Sequence, residues 1–224
     1  GNPADVSSEP YVDYGWGWKS PGDPQKYWFV AYYAHWLYHG HLRPAALALG
    51  RAYVLTGDPK YATQAVALLD RIAEEYPYMD HVNQSRYGTE IQVGTYHGRI
   101  LNCIWETGMV RDLAEVYDYV YMGMENNHYL EQVTGKSIAE IRRNIETNLL
   151  ESAAQSIYTM DGRIRGNFGM HHNALATIAI VLSNHNTDKY LDFVLHATGL
   201  GPFMYEGILM GLANSVYRDG APLE

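Results

Sequence analysis

The residue types and spacings best suited to chemistry gather in Arg163-Ile164-Arg165-Gly166-Asn167-Phe168-Gly169-Met170-His171-His172-Asn173. Gly166 and Gly169 bracket Asn167, which lets the backbone turn tightly and leaves room beside that side chain. A helix is expected from Met170, so Asn167 falls at its mouth. His171, four residues on, is then predicted on the same face. The carboxamide can donate to a carboxylate, and the imidazole can take or give a proton near neutral pH. The same pattern also reads as plain capping, with Asn167 the N-cap and His172 a solvated first-turn residue.

Two further clusters carry suitable groups. In Tyr33-Ala34-His35-Trp36-Leu37-Tyr38-His39-Gly40-His41, aromatic faces such as Trp36 could stack on sugar rings while tips such as His39 bond hydroxyls. Helical Tyr and Trp are also ordinary core residues with a hydrogen-bonded polar tip. His39-x-His41 has no third ligand at a recognisable spacing and HExxH is absent, so no metal is expected. In Tyr96-His97-Gly98-Arg99, the guanidinium is a candidate clamp for a substrate carboxylate, with Tyr96 and His97 beside it. Its alternative is a carboxylate of its own chain, for which Glu90 and Glu106 are at hand. Cys103, the one cysteine, reads as a buried, inert thiol and excludes an internal disulfide. GxSxG, GxxxxGK[ST] and GxGxxG are all missing, so no cofactor is expected.

The elements that must position these groups are helical. The 224 residues are 47% hydrophobic, with 20 Tyr beside 4 Phe and 5 Trp, which excludes disorder as the main state. With 16 Lys+Arg against 25 Asp+Glu the net charge is −9, so no electrostatic footprint for nucleic acid exists, and no apolar run is long enough for a membrane span. Residues 1–24 form an irregular N-terminal segment. The spacing then predicts helices at 25–39, 44–55, 59–76, 89–106, 109–123, from Ser137 to about Ile157, and at 170–182, 187–196 and 202–216. At Thr56-Gly57-Asp58-Pro59, Gly57 suits a left-handed C′ position, Asp58 an N-cap and Pro59 the first helical turn. Ser137 with Glu140 makes a capping box. Strand-like alternation is nearly absent, so the class is all-α, either a solenoid or an α/α toroid. No fixed internal period supports the solenoid.

Three stretches together carry a resemblance. Ala52-Tyr53-Val54-Leu55-Thr56-Gly57-Asp58-Pro59-Lys60-Tyr61-Ala62, with 68–77 closing in Glu-Glu-Tyr-Pro, resembles the "AY.LTGD.KYA … YP" helix pair of heparinase II/III-type polysaccharide lyases. Gly166-Asn167-Phe168-Gly169-Met170-His171-His172 resembles that superfamily's Asn/His segment, in the branch where the His trails the Asn by four. Tyr217-Arg218-Asp219-Gly220-Ala221-Pro222-Leu223-Glu224 resembles its "DG…E" turn.

The resemblance implies an incomplete (α/α) toroid over 25–224, without the β-sandwich domains usual for the family. It implies β-elimination on a uronate-containing polysaccharide of glycosaminoglycan or alginate type. Neutralising the uronate carboxylate stabilises the enolate-like intermediate, a task for Asn167 helped by His171 and His172. A Tyr or His then removes the C5 proton and an acid protonates the leaving oxygen. By resemblance the acid/base tyrosine falls just beyond Glu224, so the 224 residues alone are expected to be inactive. Arg99, Tyr96, His97, Trp36, His39, Arg165 and Glu224 are the expected substrate contacts. Gly1 is not Met, consistent with a removed signal peptide and a periplasmic or secreted protein. A chain at −9 repels polyanions at long range, which disfavours heparin relative to alginate or hyaluronan. An α/α-toroid glycoside hydrolase, needing two flanking carboxylates, and a non-catalytic carbohydrate-binding module are the alternatives.

Overall fold

A computed structural model describes residues 18–19, 22, 26–27, 37–79, 81, 98–200 and 205–214. Apart from one short ladder, the regular elements among these residues are helical, as the sequence predicts. The ladder pairs β1 (Trp18–Lys19) with β2 (Lys26–Tyr27), antiparallel, with Trp18 opposite Tyr27. This corrects the helix expected over 25–39 at Lys26 and Tyr27. Aromatic residues fit a pleated surface as readily as a helix, and pairing with another segment is something sequence spacing does not reveal. Residues 28–36 of that expected helix lie outside the described residues.

A π-helical turn, Tyr38–Leu42, runs directly into α1 (Arg43–Thr56). Gly57 ends α1 at φ +66°, its N–H donating to the Tyr53 carbonyl at 2.8 Å. The Asp58 carboxylate then accepts the Lys60 N–H at 3.0 Å and opens α2 (Pro59–Glu75). Ala62, Ala65, Val66, Leu69, Ile72 and Ala73 form its buried face. A 3-10 turn, Tyr76–Tyr78, closes it.

The next stretch differs from the expected pair of helices at 89–106 and 109–123. Residues 98–102 are not helical, and α3 (Cys103–Val120) runs unbroken through Gly108. Two local forces explain the change. The Asn102 side chain accepts the Ile104 and Trp105 N–H groups, both at 3.2 Å, and so fixes the helix start. An interior Gly costs about 1 kcal/mol relative to Ala, too little to break a helix that buries Met109, Val110 and Leu113 around it.

α4 (His128–Thr134), which the periodicity did not indicate, is capped by the Asn127 side chain on the Leu130 N–H at 3.0 Å. The predicted capping box is present: Ser137 Oγ accepts the Glu140 N–H at 3.3 Å, and Glu140 accepts the Ser137 N–H at 2.8 Å. It opens a continuous rod of α5 (Ile138–Asn144), a π-helical stretch (Ile145–Glu151) and α6 (Ser152–Tyr158). α7 (Met170–Leu182) and α8 (Thr187–His196) match the predicted bounds. α9 (Ile208–Asn214) starts later than the expected 202. The Gly207 N–H donates to the Ala197 carbonyl at 2.7 Å, tying that backbone to the end of α8 instead of to a helical turn of its own.

α3 is the central element, packed on α1 at one side and α7 at the other, while α2 backs α1 and α8 backs α7. Charged side chains bind the layers. Arg43 Nε donates to Asp112 at 2.7 Å between α1 and α3. Lys136 and Asn144 both reach Asp70 of α2 at 2.7 Å. Among the described residues no helix is long and apolar enough to cross a membrane.

Candidate functional site

The loop entering α7 is built by its glycines. Gly169 sits at φ +89° as the N-cap, and a Cβ on Gly166 would lie 2.6 Å from the Met170 Cβ. Asn167 is therefore not the cap. Its carbonyl accepts the Met170 N–H at 3.0 Å, and its side chain is exposed to solvent. His172 reaches back over the helix start, where its Nδ1 accepts the Gly169 N–H at 3.3 Å. That bond places the proton of the neutral ring on Nε2, on the side of the Glu206 backbone carbonyl. Burial lowers the His172 pKa, and the Glu206 carbonyl offsets only part of this, so the ring is neutral at pH 7.

His171 and His172 are both buried, with ring centroids 4.2 Å apart. The Phe168 ring lies 5.2 Å from His172, and the Tyr205 ring lies 5.5 Å from His171. Arg165 adds the positive charge. Its N–H donates to the Cys103 carbonyl at 3.0 Å, and its guanidinium interacts with the Tyr205 phenol and the Cys103 thiol. Burial opposes the Arg165 charge, but these two neighbours more than compensate and raise its pKa. Burial likewise raises the Cys103 thiol, against the pull of Arg165. The buried, protonated thiol agrees with the inert reading. The arrangement offers a guanidinium, imidazoles, a phenol and an exposed carboxamide around one helix start. Such donors suit an anionic oxygen.

The expected site residues divide clearly. Asn167, Arg165, His171 and His172 share the α7 start, although Asn167 is exposed and His171 is fully buried. Arg99 lies elsewhere: its guanidinium donates to the Tyr76 and Pro77 carbonyls at 3.2 and 3.0 Å and covers the Tyr76 ring at 5.1 Å. It thus caps the end of α2. His39 is exposed on the π-helical turn before α1. Trp36, Tyr96, His97 and Glu224 lie outside the described residues, as does the turn at 217–224. Tyr205 was not anticipated. Its approach to His171 spans a sequence separation that no local motif encodes.

A separate groove of about 500 Å³ lies between α2 and α4, lined in part by Lys60, Gln64, Asn127 and Tyr129. It contains none of the residues above. Comparison of the chain with protein families, with curated proteins and with solved structures gives no match.

Proposed function

We propose that this chain is the helical, toroid-forming portion of a polysaccharide lyase that cleaves a uronate-containing glycan by β-elimination. The observation that carries the reading is the start of α7, where an exposed Asn167 carboxamide stands before the buried rings of His171, His172 and Tyr205, with the half-buried Arg165 beside them. In this scheme Asn167 donates to the uronate carboxylate, and His171 and His172 support it from beneath the loop. Neutralising that charge stabilises the carbanion at C5 once a Tyr or His base has taken up its proton. The electron pair then forms the C4–C5 double bond as the C4 oxygen departs and is protonated. Arg165, held between Cys103 and Tyr205, supplies a local positive charge on a chain whose net charge is −9. The less densely charged uronates, alginate and hyaluronan, fit that balance better than heparin. A secreted or periplasmic setting suits polymeric substrates of this kind.

The test follows absorbance of the unsaturated product from alginate and hyaluronan with the full-length protein. Asn167→Ala is expected to lower kcat about 10²- to 10³-fold, the size of effect from removing one oxyanion donor. Saturated products formed by uptake of water would replace this reading with a hydrolase. Glycan binding without turnover would replace it with a carbohydrate-binding module.

A further inference from the structure

Glu106 is a carboxyl for which the proposed chemistry has no use. It lies in the first turns of α3, fully buried, and its Oε2 accepts the N–H groups of Ile100 and Leu101 at 3.0 and 2.6 Å. These two bonds close the 98–102 turn over the start of α3. Oε1 faces the buried Tyr76 hydroxyl, and among the described residues neither atom completes a well-formed hydrogen bond. Among the described residues, the charged or titratable neighbours are Tyr76 from the end of α2 and Arg99 from the turn, with Asp161 acting on Tyr76 at longer range.

The same helical turn has a second contact. Cys103, three residues before Glu106, holds Arg165 through its carbonyl and its thiol, and Arg165 in turn meets Tyr205 beside His171. One short piece of α3 therefore joins the closed turn to the candidate site.

We infer that Glu106 is a positioning residue for the Arg165–Tyr205–His171 cluster, acting through the turn it closes and the Cys103 contact, and that its proton sets how firmly the cluster is held. This rests on the functional reading above only in treating that cluster as the site. In the neutral form, Oε2 keeps both amides, Oε1–H has the Tyr76 hydroxyl as its neighbouring acceptor, and no charge is buried. In the ionised form a desolvated charge favours opening of the turn to water. Burial pushes the Glu106 carboxyl up to about 7, against the opposing pull of the two amides, Tyr76 and Arg99.

Hydrogen exchange on the whole chain tests the coupling without reference to turnover. A carboxyl titrating near 7 when closed and near 4.5 when open shifts the opening equilibrium about thirty-fold between pH 5.5 and 8.5. Peptides covering 98–103 and 163–167 are expected to lose protection together by about that factor, after correction for intrinsic exchange. In Glu106→Gln, whose carboxamide oxygen can keep both amide bonds, both ratios fall to about one. A pH response in 98–103 without one in 163–167 overturns the inference, as does a flat wild-type response. An unchanged response in Glu106→Gln does so too. If that variant does not fold, the wild-type comparison of the two peptides still decides. Failure to turn over alginate or hyaluronan removes the lyase reading and leaves the exchange result standing. Where turnover is found, Glu106→Gln should abolish an alkaline limb near pH 7 in kcat while leaving KM unchanged.

Discussion

Removing Lys136 should expose how α2 is joined to the segment between α4 and α5. Asp70 of α2 is almost buried, its side chain 5% exposed, and it receives Lys136 Nζ on Oδ2 and Asn144 Nδ2 on Oδ1, both at 2.7 Å. Lys136 also contacts Glu74, which Arg71 holds from the other side at 2.8 Å. In Lys136→Met the aliphatic stem keeps its packing, but Asp70 is left buried with one neutral donor. Losing one partner of a fully buried pair costs about 3–5 kcal/mol. The Lys136 side chain is 27% exposed, so water recovers part of this, and roughly 2–3 kcal/mol is expected. For a chain of this size that lowers Tm by roughly 5–10 °C. Urea unfolding followed by circular dichroism measures the loss, with an unchanged m-value showing that the unfolded state is unaffected. Asp70→Asn in the Lys136→Met background removes the stranded charge and should restore about 2 kcal/mol relative to strict additivity. Additive losses in the double variant would refute the reasoning, because they would mean that the two side chains do not interact energetically.

Two other perturbations probe backbone and protonation separately. Gly57→Ala places a side chain at φ +66° with no atom within 4 Å of the new Cβ, so the cost is conformational alone, about 1 kcal/mol by thermal or urea unfolding. Burial holds the His172 pKa below its ordinary 6.5, so below that pH the unfolded chain binds the extra proton and stability is lost. Unfolding at pH 7 and pH 5 should show this acid-side loss in the wild type and less of it in His172→Gln, whose side-chain oxygen can still accept the Gly169 N–H.

The boundaries visible in the sequence are those fixed by local covalent constraints. Gly57, Asp58 and Pro59 act on their own backbone, and Ser137 with Glu140 closes its box within one turn, so spacing alone locates both ends. The same signals existed at Asn127 and Gly135, which bound α4, but that helix buries only Leu130 and so shows no apolar period. The start of α3 failed for a related reason. Apolar spacing over 89–106 says nothing about a side chain folding back on its own helix, whereas Asn102 does this with two backbone donors. The class of fold survives such errors because it depends on which segments are helical, not on where each one begins.

The candidate site shows where pattern reasoning reaches its limit. The rule that places residues i and i+4 on one face holds inside a helix. Asn167 precedes the Gly169 cap by two residues, and the left-handed Gly169 backbone turns the chain between Asn167 and His171. Hence one side chain is exposed while the other is buried: one group meets solvent while the other is shielded from it. The burial of Glu106, which the sequence offered only as a partner for Arg99, escaped for the opposite reason. A glutamate in a first helical turn usually needs no explanation beyond the helix dipole. It becomes unusual only because Ile100 and Leu101 close over it and Tyr76 and Arg99 complete the enclosure. Its burial belongs to the packing of α2 and the 98–102 turn on α3. In this chain the glycines that shape the site are therefore readable in the linear order, whereas the protonation states within it are set by contacts between elements distant in that order.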